Sequence, residues 1–119
     1  MRRDMDLIRL LLLEAEGEEN PDLSKYSKEQ INYNKALLIQ ATLAAGDYVS
    51  GSDNRGRYTI ISAAITHLTW DGHDFLDAAR NPTIWKKAME RLAKIGGTVT
   101  FEVVKTLLNA VIKSELGLP

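Results

Sequence analysis

Between Trp70 and Asp77 the chain reads WDGHDFLD, which sets one imidazole, His73, and three carboxylates, Asp71, Asp74 and Asp77, within two helical turns. Such a group invites a metal or acid–base reading, but the spacing argues against it. No histidine here stands to an Asp or Glu in a ligand pattern such as H-E-x-x-H, and His67 falls on a strand. His73 and Asp77 are four residues apart and are expected to pair on a helix surface. Gly72 permits close backbone packing, and Trp70, Phe75 and Leu76 are expected to supply core. The chain has no cysteine, which removes thiol nucleophiles, disulfides and thiolate metal sites together. With no glycine-rich phosphate loop and no Ser-x-Gly elbow either, no catalytic residue, metal or cofactor is expected, and the protein does not read as an enzyme.

A second constellation suits binding. Lys28, Asn32 and Lys35 follow i, i+4, i+7 and so share one helix face, and Arg55 and Arg57 stand at the tip of the turn GSDNRGR. Lysine and arginine make phosphate contacts, and asparagine can read an adenine edge. The formal net charge is −1, so no global field draws the chain onto nucleic acid. Residues 23–58 nevertheless carry five basic and three acidic side chains, a local excess. A third group, Lys86, Lys87, Arg91 and Lys94, reads best as a solvated helix face that Glu90 partly offsets.

These residues need elements to hold them. Asp4 can cap a first helix running to about Glu16, apolar on more than one stripe through Leu7, Ile8, Leu10, Leu11, Leu12 and Leu13. The opening MRRDMDLIRLLLL imitates a targeting segment, but Asp4, Asp6 and Arg9 interrupt it and it is too short to span a membrane. Gly17 and Pro21 then break the chain into a loop, and Leu23–Tyr26 is expected to be a short extended piece. Ser27 and Gln30 have the spacing of a capping box for a helix from Lys28 to about Ala45, with Gly46 as its stop. Its apolar face is expected at Ile31, Leu37, Leu38, Ala41 and Ala44.

Tyr48–Val49 and Tyr58–Leu68 read as two strands around the arginine-bearing turn. Thr69 caps the helix that carries WDGHDFLD. Asn81-Pro82 opens the next, with Ile84, Trp85, Ala88, Leu92 and Ile95 expected inside and Gly96-Gly97 ending it. Thr100 opens the last, apolar through Phe101, Val104, Leu107, Leu108, Val111 and Ile112. The order gives an α+β, mostly helical chain. It comprises a winged helix-turn-helix-like unit over 1–80 with a two-stranded wing, and a C-terminal helical extension over 81–119, within one structural domain.

The stretches RRDMDLIRLLLLE, YSKEQINYNKALLIQATL, LTWDGHDFLD and NPTIWKK resemble the phage- and prophage-associated bacterial proteins grouped as domain of unknown function 2513. The resemblance spans nearly the whole chain and implies a small winged-helix-like protein with no established activity. More loosely, INYNKALLIQATLAAG resembles the recognition-helix signature of winged-helix regulators, and LTWDG the turn after their wings. Asn34 stands where such signatures carry histidine and Thr42 where they carry glycine, which puts the end of that helix in question.

The expectations follow. A cytoplasmic, non-enzymatic protein would bind double-stranded DNA or regulate transcription through Lys28, Asn32, Lys35, Arg55 and Arg57. The alternative is a protein-interaction module that uses the same scaffold and its terminal helices to meet a host or phage partner. The apolar surplus of the first and last helices suggests a homodimer through Leu10, Leu13, Val104, Leu108 and Val111. No membrane association is expected.

Overall fold

The N-terminal N–H groups of a helix have no partner within it, so each helix must begin where a side chain can take them. Asp4 accepts from the Leu7 N–H and starts α1, Met5–Glu16. Ser27 and Gln30 exchange both bonds of a capping box and start α2, Lys28–Gln40. Thr69 accepts from the Gly72 N–H at the head of α3, Trp70–Ala79. Asn81, with Pro82 behind it, starts α4, Pro82–Ile95, and Thr100 starts α5, Phe101–Glu115. Between α2 and α3 lies one antiparallel hairpin, β1 (Ala44–Ser52) and β2 (Tyr58–Leu68). This is an α+β, mostly helical chain with a winged-helix-like arrangement, seen in a computed structural model that describes residues 2–96 and 99–117. Gly97, expected to share in ending α4, lies outside the described residues; Gly96 caps that helix.

Three local expectations are corrected. Leu23–Tyr26 is a turn closed by the Tyr26 N–H on the Leu23 carbonyl, not an extended piece. Helix α2 stops at Gln40 and does not reach Ala45, because Thr42 takes φ 59°, the left-handed conformation. The Leu43 N–H then returns to the Leu38 carbonyl and the Thr42 N–H to the Ile39 carbonyl, which closes the helix end. Gly46 is consequently part of β1, opposite Ile65, and β1 begins at Ala44, earlier than Tyr48. Thr42 thus performs the turn for which winged-helix signatures use glycine, at the steric cost that a β-branched residue meets there.

The chain divides into two compact units, 1–73 and 74–119, with the division inside α3 where a boundary after residue 80 was expected. In the first, α2 packs along β2 and also meets β1 and α1. Its core is Leu7, Ile8, Leu11 and Leu12 of α1 with Ala36, Leu38 and Ile60. In the second, α4 packs on α5. Phe75, Leu76, Trp85, Ala88, Val104, Leu108 and Val111 are buried there, and Phe75 meets Phe101 edge-on at 5.7 Å between ring centroids. Ile95, expected inside, is 67% exposed. No helix among the described residues is long and apolar enough to cross a membrane.

Candidate nucleic-acid interface

Helix α2 is buried on two opposite faces, which its sequence pattern did not suggest. Asn32 and Ala36, four apart, form one; Asn34 and Leu38, about 200° round from Asn32, form the other. The first lies against β2, where the Asn32 amide donates to the Ile61 carbonyl at 3.3 Å. Ile61 is the extra residue where the ladder slips between Val49/Ser62 and Ser50/Ile60, so Asn32 supplies a bond at the bulge. The second face meets the start of α1. The Asn34 Oδ1 accepts from the Asp4 N–H at 2.9 Å, and its amide donates to the Gln30 carbonyl at 2.8 Å.

This corrects the expected binding face. Asn32 is buried and bonded inward, so it reads no base from where it sits. Lys28 is exposed and Lys35 half-buried, and they share one edge of α2 about 10 Å apart along its axis. Arg55 and Arg57 are exposed on the hairpin tip. That tip is a built turn. The Asp53 carboxylate accepts from the N–H groups of Arg55 and Arg57 at 2.8 and 2.9 Å, and the Gly56 N–H returns to the Asp53 carbonyl. Gly56 takes φ 76°, as a three-residue hairpin loop with a glycine bulge requires. Asp53 also pairs with the Arg57 guanidinium at 3.4 Å, with both side chains well exposed. An exposed pair of this kind is weak and leaves Arg57 free to exchange partners.

The WDGHDFLD segment carries two corrections. The Asp77 carboxylate is held by Arg80 at 3.0 Å, where His73 had been expected as its partner. Trp70 is 81% exposed and supplies no core, while Phe75 and Leu76 are buried as expected. Gly72 lies so close to the Leu43 backbone that an added Cβ would sit 1.8 Å from the Leu43 oxygen. Thr69 ties the same junction by donating its hydroxyl to the Thr42 carbonyl at 2.6 Å. Among the described residues no group of three or more His, Asp or Glu could hold a metal ion. On α4, Lys87 pairs with Glu115 of α5, while Lys86, Arg91 and Lys94 are exposed.

The residues expected at a dimer interface are placed mostly inside the chain. Leu13 is 4% exposed, Val104, Leu108 and Val111 are fully buried, and Leu10 is half-buried. Much of the apolar surplus that suggested a second copy is thus covered within the chain, while Val103 and Leu116 are exposed. One feature that residue spacing had not singled out is a cleft of about 210 Å³ lined by Glu29, Tyr33, Tyr58, Thr59 and Ile60. Its signal was present in part, since Glu29 and Tyr33 are one helical turn apart.

The class these observations define is a winged-helix-like α+β protein with cations along one edge of α2, at the hairpin tip and on α4. The chain belongs to the family described as hypothetical protein DUF2513, which matches residues 2–98. It is similar to an uncharacterized protein of Haemophilus influenzae, 31% identical over 125 residues that cover 98% of this chain and all of the relative. No solved structure matches it.

Proposed function

We propose that this protein binds double-stranded DNA through phosphate contacts from Lys28, Lys35, Arg55 and Arg57, as a cytoplasmic, non-enzymatic regulator of the phage or prophage type. One observation carries the reading: α2 packs along β2 within one compact unit whose hairpin tip is pre-ordered by Asp53. A tip already folded loses little freedom when its arginines engage phosphates. Winged-helix proteins commonly set a helix in the major groove and a wing along the backbone. With Asn32 turned inward, this surface has cations to offer and little to read bases with, so the binding is sequence-tolerant and steeply salt-dependent. Four contacts at about 0.9 each give a slope of roughly −3.6 in log K against log salt.

The test is fluorescence anisotropy of a labelled duplex between low and physiological salt. Lys35→Ala with Arg57→Ala is expected to weaken binding and reduce the slope by about 2. An absence of binding at low salt, or an unchanged double variant, would overturn the proposal.

Trp70 favours a second reading, that of a protein-interaction module. A largely exposed indole at the head of a helix is the kind of anchor that dominates protein interfaces. Val104 and Leu108 are buried and do not present themselves to such a partner. Partner capture that Trp70→Ala leaves unchanged would remove it.

A further inference from the structure

We propose that the cleft between the first turns of α2 and the start of β2 is a binding site for an organic ammonium group. Three features converge there. Glu29 and Tyr33 stand one above the other on α2, and Tyr58 enters from β2. Two phenol rings thus share a cleft with one carboxylate, the combination that attracts alkylammonium ions through ring quadrupoles and charge together. Glu29 makes no ion pair among the described residues, and no Lys, Arg or His lines the cleft. Lys28 precedes Glu29 but projects about 100° round the helix.

The cleft is also held in shape. Ile60, 6% exposed, gives it an apolar floor, and the Asn32–Ile61 hydrogen bond fixes β2 to α2 one residue further on. Tyr58 is 63% exposed, a ring left in water at the mouth. The volume, about 210 Å³, falls below the roughly 300–1,000 Å³ of drug-sized pockets and suits a single head group. The apolar floor and rings favour an alkylated cation over a hydrated metal ion. The assignment is independent of the DNA reading, because none of the four proposed phosphate contacts lines the cleft.

The experiment is a titration of the full chain with tetramethylammonium chloride, followed by NMR at constant ionic strength with sodium chloride as the balancing salt. Saturable shifts of Tyr33, Tyr58 and Ile60 at millimolar concentration are expected, with tert-butanol, a neutral analogue of similar size, giving none. Glu29→Gln and Tyr58→Ala alter exposed residues and so leave the fold intact, as circular dichroism would check; each is expected to weaken binding by about five-fold or more. A capped Gly-Lys-Gly peptide separates the two sources of such a group. Tighter binding of the peptide assigns the cleft to a side chain of a partner, and tighter binding of tetramethylammonium to a free ligand. Equal response to tert-butanol, or unchanged affinity in both variants, would overturn the assignment.

Discussion

Two asparagines on one helix carry much of the organisation of the first unit. Both lie inside, yet neither costs what a buried amide normally would, because each is bonded to backbone that needs a partner. Asn32→Ala would leave the Ile61 carbonyl without its side-chain donor. Urea denaturation is expected to show a loss of about 1–3 kcal/mol. Sequence preference in DNA binding would be unaltered by the same change, and a change in base preference at undiminished stability would return Asn32 to the recognition face. Thr42 presents the opposite case, a residue held where its own sterics resist. A left-handed L-residue costs about 1–2 kcal/mol, and glycine gives back about 0.5–1 of that in unfolded-chain entropy. Thr42→Gly should therefore stabilise the protein by up to about 1 kcal/mol, read as a higher urea midpoint at unchanged slope.

At the scale of elements, the junction from α2 to β1 and the head of α3 form one knot. Thr42 turns the chain, its carbonyl receives the Thr69 hydroxyl, and the next carbonyl, that of Leu43, faces Gly72. The Leu43 carbonyl also accepts the Thr69 N–H. No side chain fits at residue 72 without moving backbone. Gly72→Ala is expected to cost at least about 1–3 kcal/mol, the usual range for overpacking, in a thermal or urea melt. The hairpin tip is a separate element with its own organiser. Asp53→Ala removes the acceptor for two N–H groups and should raise amide exchange at Arg55 and Arg57 while exchange in the ladder from Ala44 to Val49 stays slow. Under the DNA proposal it also reduces affinity despite deleting a negative charge. A gain in affinity would show that charge outweighs pre-ordering at the tip.

At the scale of the molecule, the two units keep their own cores, and Val104, Leu108 and Val111 of the last helix belong to that of the second. Leu108→Asp would place a carboxylate where no water reaches and leave it unpaired. Loss of near-ultraviolet dichroism and of cooperative melting is expected, at protein concentrations across which sedimentation shows no change in mass for the unaltered chain. A folded Leu108→Asp variant that differs only in oligomeric state would restore the dimer reading. The positive face of α4 is partly spent within the unit, through Lys87 and Glu115. For this reason the proposed DNA contacts are confined to α2 and the hairpin.

The sequence by itself determined where the helices begin, because capping is local: Asp4, Ser27 with Gln30, Asn81 and Thr100 each act within three residues of themselves. It determined the hairpin for the same reason, since DNRGR encodes its own turn. The burial of Phe75 and Leu76 and the close backbone packing at Gly72 were also legible in WDGHDFLD. Only tertiary structure decided which side of α2 is wet. A 3.6-residue period marks one apolar stripe, but α2 lies between a strand and a helix and buries two, each containing an asparagine whose partner is 29 or 30 residues away. The exposure of Trp70 and the burial of Val104 and Leu108 were likewise fixed by what packs against each helix. Lys28, Lys35, Arg55 and Arg57 are the proposed phosphate contacts, and Asn32 belongs instead to the bulge in β2.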